Sequence, residues 1–436
     1  MEWWVVLASG LGLLAAFFIT GVPLFIGFLL VNFIGVLVMI GPAGMGLIAN
    51  SIFDTVTLDS LAALPLFVLM GDILFRGGAI DELFKAIDKL IGRIPGRPYI
   101  VTILLSTIFG ALSGSAMAIA AMMARSMFPA LVENGYDRKM SAGVIMAGAS
   151  LAPIIPPSIA VILIAILAEV SISKLLVAGI LPGLLLAGVF ISYVVIRSLV
   201  DPTVTPKSDP DIVTRVTTSE KLLALARMSP LSLVIFSVMG LILLGVATPT
   251  EAAATGVVGA LVAVSVYRKL SWSILNQSLY SAALITGTIL IIMVSSNMFG
   301  QLLALTGTAS KLTQALVSLD LHTTVLVLAL MALTFVFCVF ADEIAMMFIL
   351  IPLYNPIVHA VGINDVWFWT LILINLVLGG LTPPFGYLMY AFKSGAPNMP
   401  LTEVYAATWP FVGLYMLAIA LVILIPGIAT YLPSLL

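Results

Sequence analysis

Charge is what this sequence has least of. Asp, Glu, Lys and Arg make up 9% of its 436 residues, against about 25% in soluble domains. Hydrophobic residues make up 62% and mean hydropathy is +1.23. A string of soluble domains is thereby excluded, and a polytopic membrane protein is left. The net charge of −2 excludes an electrostatic nucleic-acid binder. A lone cysteine, Cys338, forbids an internal disulfide, and two histidines argue against a His-based metal centre. No polar segment is long enough for a separate catalytic domain. Neither H-E-x-x-H nor a P-loop Gly-Lys-Ser/Thr occurs. Gly41-Pro42-Ala43-Gly44-Met45-Gly46 is a small-residue turn without the strand that nucleotide binding requires. Met1–Thr20 carries Glu2 and no basic residue ahead of its apolar run. A secretory leader starts positively charged, so this stretch is expected to be a first membrane helix.

What is present is apolar runs long enough to cross a bilayer, about 20 residues each. They are Trp3–Thr20, Val22–Ile40, Leu61–Phe75, Leu175–Ile196, Leu231–Ala247, Ala252–Tyr267, Ser281–Phe299 and Val404–Ile425. The longest polar interval, Arg197–Pro230, reads as a linker between halves of similar length. Two regions break the pattern. Tyr99–Leu112 is too short to cross, meets Ser113-Gly114-Ser115, and is followed by Ala116–Val132. Thr323–Phe340 likewise meets Ala341-Asp342-Glu343 and is followed by Ile344–Val361. Both predict re-entrant hairpins. After each comes a double proline inside an apolar segment, Pro156-Pro157 and Pro383-Pro384. Proline lacks an amide donor and clashes with the carbonyl one turn back, so each pair predicts a broken helix with freed carbonyls. Lipid excludes such groups unless protein or a cavity receives them.

The halves align without a gap at a shift of 227 residues, placing Ser115 on Asp342, Pro129 on Pro356, Gly135 on Gly362 and Pro156 on Pro383. Region Arg76–Pro98 carries five basic residues, whereas its counterpart Leu303–Val325 carries only Lys311. By the positive-inside rule the first hairpin enters from the cytoplasm and the second from the opposite side. The linker and the Arg268-Lys269 turn then lie in the cytoplasm, and both termini face outward. The expected fold is an all-α polytopic membrane protein of two inverted repeats, each with a re-entrant helical hairpin and a broken helix, the mark of an ion-transporter-like secondary transporter. The first repeat spans 1–196: scaffold helices 1–78, an amphipathic arm 80–94, hairpin 97–135, broken helix 139–169 and span 175–196. A cytoplasmic linker occupies 197–230. The second repeat spans 231–436: scaffold helices 231–305, arm 307–321, hairpin 323–361, broken helix 366–395 and span 404–430.

Several separated motifs carry a family resemblance. They are Leu112-Ser113-Gly114-Ser115-Ala116, Gly135-Tyr136-Asp137, Ala152-Pro153-Ile154-Ile155-Pro156-Pro157-Ser158, Ala247-Thr248-Pro249-Thr250-Glu251, Asp342 and Leu381-Thr382-Pro383-Pro384-Phe385-Gly386. In that order, over nearly the whole chain, they resemble the large permease subunit, DctM type, of tripartite ATP-independent periplasmic (TRAP) transporters. The resemblance implies sodium-coupled uptake of a small organic anion, commonly a carboxylate, by an elevator mechanism in the bacterial inner membrane. It implies a periplasmic solute-binding protein (DctP type) that delivers substrate. It implies a separate small four-helix membrane subunit (DctQ type) as partner. Glu343 departs from the pattern, standing where a small or hydroxyl residue is more usual.

Sodium takes hard oxygen ligands, and carbonyls freed at a broken helix suit it together with hydroxyls. One candidate sodium site is Ser113, Gly114, Ser115, Ser150, Pro153 and Ser158. Its inverted twin is Asp342, Gly379, Gly380 and Thr382. Half-helix N-termini beyond the breaks can hold a carboxylate, so Ser115, Ser158, Asn375, Gly386 and Arg125 are candidate substrate contacts. Each has a plainer reading beside it. Small residues in membrane helices permit close packing, and proline pairs can be simple kinks. Arg125 can snorkel to the interface, and Asn375 can face either the cavity or a neighbouring helix. An acid such as Asp342 in a membrane segment is functional by default, while Glu343 is placed toward water at the outer vestibule. His322 and His359 flank the second hairpin, where proton coupling is a minor alternative. Other functions remain as rivals: a stand-alone sodium/anion symporter of the same broad fold, a channel, or a membrane-embedded enzyme.

Overall fold

In hydrocarbon a backbone must satisfy its own amides and carbonyls, and a sequence this apolar does so by winding into helix. The structure, a computed structural model, describes residues 2–78, 83, 86–87, 96–206, 218–339 and 341–436. The first half folds into α1 (Trp3–Ile19), α2 (Leu24–Met39), α3 (Met45–Val56), α4 (Ala63–Arg76), α5 (Arg97–Ser113), α6 (Ala116–Glu133), α7 (Arg138–Ser150), α8 (Ile159–Leu167), α9 (Ile172–Ala178) and α10 (Ile180–Val200). The second half folds into α11 (Thr218–Leu243), α12 (Pro249–Val266), α13 (Trp272–Leu305), α14 (Thr308–Val317), α15 (Thr323–Cys338), α16 (Glu343–Val361), α17 (Asp365–Leu381), α18 (Tyr387–Gly395) and α19 (Leu401–Leu424), closed by short turns over 427–435.

The expected hairpins are α5–α6 and α15–α16, and the expected broken helices are α7–α8 and α17–α18. Equivalent positions match in detail. Gly135 and Gly362 both take left-handed backbone, with φ of +81° and +73°. Ser115 and Asp342 both N-cap the second arm of their hairpin. The Pro156–Pro157 and Pro383–Pro384 bonds are both cis.

Two places differ from the sequence reading. The linker ends earlier than Pro230, because α11 already begins at Thr218 and runs through that proline. Pro230 offers no amide to the Ala226 carbonyl one turn back. The Ser229 hydroxyl donates to that carbonyl at 2.8 Å instead, and the helix continues. Helix α3, which no long apolar run announces, forms with α4 a pair bent by 56°. The span expected at 175–196 lies within Ile172–Val200, where Gly179 sits so close to the first break that an added Cβ would lie 2.3 Å from the Ile154 carbonyl oxygen. The amphipathic arm 80–94 falls largely outside the described residues, of which Leu83, Ala86 and Ile87 are buried.

Hydrogen bonds and cavities fix which helix ends share a face of the molecule. At one end the Val204 carbonyl accepts from the Tyr99 hydroxyl at 2.7 Å and from the Asp137 amide at 3.2 Å. A cavity of about 320 Å³ there is bounded by Asp137, Lys139, Arg197, Asp201, Ala406 and Pro410. The start of α7, the end of α10 and the start of α19 therefore lie together. At the other end Trp367 Nε1 donates to the Val422 carbonyl at 3.0 Å. A cavity of about 390 Å³ there joins Lys174 to Asn364, Thr430 and Tyr431. Helix α17 thus starts where α8 ends, and the second repeat is inverted.

Two bodies pack differently. Helix α13 lies against α2, α3 and α4, and α12 lies against α4 and α11. This first body is held by side-chain amides, buried at Asn32 and half-buried at Asn297 and Gln301: Asn32 Nδ2 donates to the Ser295 carbonyl at 2.6 Å, Asn297 Nδ2 to Thr55 Oγ1 at 2.9 Å, and Ser51 Oγ to Gln301 Oε1 at 2.9 Å. In the second body each hairpin's first arm packs on its own broken helix, α5 on α7 and α15 on α17. The second arms cross over, α6 to α18 and α16 to α8. Edge-to-face rings of Phe128 and Phe392, 5.2 Å apart, fill the α6–α18 crossing.

Candidate functional site

The first hairpin turns because Gly114 adopts φ +64° and caps α5, its amide donating to the Gly110 carbonyl at 2.8 Å. A side chain is excluded there twice over, since an added Cβ would also fall 2.7 Å from Ile159 Cδ1. Ser115 follows as N-cap of α6, its Oγ accepting from the Ala118 amide at 3.3 Å. The tip therefore rests on the start of α8, beside the first break. The side chain of Ser113 lies outside the described residues.

Inside the first break the expected oxygens have protein partners. Pro157 cannot donate to the carbonyl of Pro153, four residues earlier. Ser158 Oγ donates to that carbonyl at 2.5 Å and accepts from the Val161 amide at 3.3 Å, so it is also the N-cap of α8. Ser150 Oγ donates to the Ala147 carbonyl at 2.7 Å and lies 2.7 Å from the Tyr415 hydroxyl, which also donates to the Ser150 carbonyl at 3.2 Å. Tyr415 comes from α19, so a second-repeat phenol seals a first-repeat break. Ser150 and Ser158 are both buried.

At the second hairpin tip, Asp342 Oδ1 accepts from the amides of Ile344 at 3.0 Å and Ala345 at 3.1 Å. Asp342 is thus the exposed cap of α16. Glu343 is placed the other way round from the vestibule position expected of it. It is 9% exposed, and the Tyr387 hydroxyl donates to its Oε2 at 2.6 Å. An N-cap must stay clear of the helix body to reach its own amides, and the next side chain turns inward.

Tyr387 ties this tip to the second break. Its ring covers Gly380, where an added Cβ would lie 2.1 Å from the ring, while Gly379 meets Cys338 with Cβ space of only 2.4 Å. The Gly379 carbonyl accepts from the Thr382 amide at 3.1 Å, and Thr382 Oγ1 donates to the Leu378 carbonyl at 2.7 Å. Gly386 caps α18 and donates to the Thr382 carbonyl at 3.1 Å. The two breaks are not alike in exposure. The first is closed in by protein, while Pro384 and Phe385 of the second are exposed. The Pro384 carbonyl accepts from Tyr405 at 2.8 Å and from Tyr390 at 3.3 Å.

Two candidate substrate contacts sit away from the tips. Asn375 Nδ2 donates to the Met331 carbonyl at 2.6 Å, binding α17 to the first arm of its hairpin. Arg125 is exposed, with its stem beside Gly395. Ten residues of helix, roughly 15 Å, separate it from the tip. His322 caps α15 by accepting from the Thr324 amide, and His359 faces Asp365 at 3.5 Å. Both lie at the base of the hairpin. Sequence reasoning missed the tyrosines, Tyr387, Tyr390, Tyr405 and Tyr415. The available signal was a phenol in an apolar span, whose hydroxyl requires a partner once buried.

Taken together, the arrangement offers two inverted hairpin-and-break units, each with half-helix N-termini, hydroxyls and main-chain oxygens. Such a device suits binding a small ion or anion between helices. The profile of the family described as tripartite ATP-independent periplasmic transporter, DctM component, matches residues 11–428. The chain is 31% identical over 433 residues to the ectoine TRAP transporter large permease protein of Halomonas elongata, covering 99% of both chains. It is 28% identical to the C4-dicarboxylate TRAP transporter large permease protein of Pseudomonas aeruginosa, covering 91% of this chain and 92% of that one. It is 30% identical to the sialic acid TRAP transporter permease protein of Haemophilus influenzae, covering 87% of this chain and 61% of that one. In fold it is similar to the YdaH transporter of Alcanivorax borkumensis, with TM-score 0.62 and 13% identity over 88% of this chain and 89% of that one.

Proposed function

Because the chain belongs to the DctM component of tripartite ATP-independent periplasmic transporters, we propose that it is the subunit that carries a small organic anion across the inner membrane, driven by sodium. The observation that supports this best is the crossed packing of the two inverted hairpins and broken helices. It makes them one body, distinct from the amide-bolted body of α2, α3 and α13. The body of hairpins and broken helices moves as an elevator against the amide-bolted body. Ectoine, sialic acid and C4-dicarboxylates, named for the relatives, all carry a carboxylate, and this is the group the half-helix N-termini favour.

Sodium binds between each tip and its break. Partner hydrogen bonds such as Ser158 to Pro153 are exchanged for ion contacts on binding, and the same oxygens then change owner. Coupling requires that sodium bind the two states of the elevator unequally. Substrate arrives on a periplasmic binding protein, and a separate small membrane subunit braces the fixed body. The linker end of the molecule faces the cytoplasm, as the basic residues there favour.

Reconstitution tests the proposal. Proteoliposomes holding this chain, the small subunit and the binding protein should accumulate a labelled carboxylate only under an inward sodium gradient. Accumulation by this chain alone would instead make it a stand-alone symporter. Flux that persists without any sodium gradient and never exceeds equilibrium would make it a channel.

A further inference from the structure

Where the two bodies touch, the contact is almost entirely apolar. Leu64 and Val68 of α4 and Ile289 and Met293 of α13 cluster with Leu163 of α8 and Phe348 of α16. Among the described residues one hydrogen bond crosses this seam: Ser296 Oγ donates to the Phe348 carbonyl at 2.6 Å, with both residues buried. Sequence explains why that carbonyl is available. Its intrahelical donor would be the amide of residue 352, which is proline. The same proline packs on α13 one turn beyond the serine, where a Cβ added at Gly300 would lie 3.3 Å from Pro352 Cβ. Ile289, Met293, Ser296 and Gly300 recur at helical spacing and form one face of α13. The adjoining face carries Asn297 and Gln301, which fasten α13 to α3. A single helix is therefore bolted on one side and offers one hydroxyl and one notch on the next.

We propose that Ser296 is a positioning residue for transport: it latches the second hairpin to the fixed body and sets the balance between transport states. This rests on the elevator reading above. When α16 slides past α13, the Phe348 carbonyl leaves the hydroxyl and has no helical donor to replace it. The state described here is favoured by that difference. Interhelical side-chain hydrogen bonds in membranes correspond to roughly a three- to twenty-fold effect on an equilibrium.

The test uses the assembled transporter in lipid, with Cys338→Ala and paired spin labels at Ser265 on α12 and Asn134 at the end of α6. The distance distribution reports the two bodies. Ser296→Ala should shift the ratio of the two populations by roughly three- to twenty-fold away from the state in which α16 abuts α13, and Ser296→Thr should restore it. Gly300→Ala, which crowds Pro352, should shift it the same way and serves if Ser296→Ala does not fold. Pro352→Ala returns a helical donor to the Phe348 carbonyl. In that background Ser296→Ala should change the ratio by less than about twofold, a coupling that a merely structural serine would not show. Two populations whose ratio ignores Ser296→Ala would overturn the latch. A single distance that no sodium gradient or substrate changes would overturn the elevator reading itself.

Discussion

At the residue scale, glycines that admit no side chain hold the second break against its hairpin. A methyl group on Gly379 would meet Cys338 Cβ at 2.4 Å and its backbone carbonyl carbon at 3.0 Å. Backbone cannot yield as a flexible side chain can, so Gly379→Ala should destabilise the protein by about 1–3 kcal/mol. Thermal unfolding in detergent measures this. Gly188→Ala is the control, because nothing lies within 4 Å of its added Cβ, and it should leave the midpoint unchanged or slightly raised. The pair of Tyr387 and Glu343 makes a second prediction. Tyr387→Phe strips a buried carboxyl of its donor and should cost about 1–3 kcal/mol. The same substitution in a Glu343→Gln background should cost less, because a neutral amide tolerates burial better than a carboxylate. Equal losses in both backgrounds would show that the Tyr387 hydroxyl contributes by some route other than its bond to the Glu343 carboxyl.

At the element scale, α16 separates two roles of Asp342 that sequence alone merges. Asparagine caps a helix as well as aspartate does, whereas alanine loses about 1 kcal/mol. Asp342→Asn should therefore keep the melting temperature and weaken the sodium dependence of uptake, while Asp342→Ala should lower both. Unchanged sodium dependence in Asp342→Asn would leave the residue only its cap. The same helix shows what was legible in advance. Short apolar arms around a polar tip gave both hairpins, and paired prolines gave both breaks, because length and missing amides act locally. The Ser229 hydroxyl that carries α11 through Pro230 is local too, but the sequence does not say whether a proline kinks a helix or is bridged. The partners of the candidate site residues were not legible. Ser150 meets Tyr415 across 265 residues, and no local pattern encodes that pairing. Asn375 and Arg125 have the right chemistry for a carboxylate, but their directions depend on helix rotation, which tertiary packing sets.

At the scale of the whole molecule, the crossed packing and the apolar seam predict opposite responses to cross-linking. With Cys338→Ala, cysteines replacing Phe128 and Phe392, whose rings meet in the α6–α18 crossing, lie within one body, and bridging them with a short bifunctional thiol reagent should leave sodium-driven uptake largely intact. Cysteines at Val68 and Leu163 join the two bodies across the seam, and oxidising them should abolish uptake reversibly. Uptake that survives the second cross-link would mean that α4 and α8 do not slide past each other.

The crossover of α6 onto α18 also governs how the chain is born. Helix α6 ends at Glu133 and its packing partner is complete only at Gly395. At a synthesis rate of about 5–20 residues per second, the interval between them is on the order of tens of seconds. Throughout that time the tip of the first hairpin can already rest on α8, but the side of α6 that α18 will cover has no mate. Insertion of the halves and assembly of the binding body are therefore separate events, and the nascent first half has no finished fold to wait in.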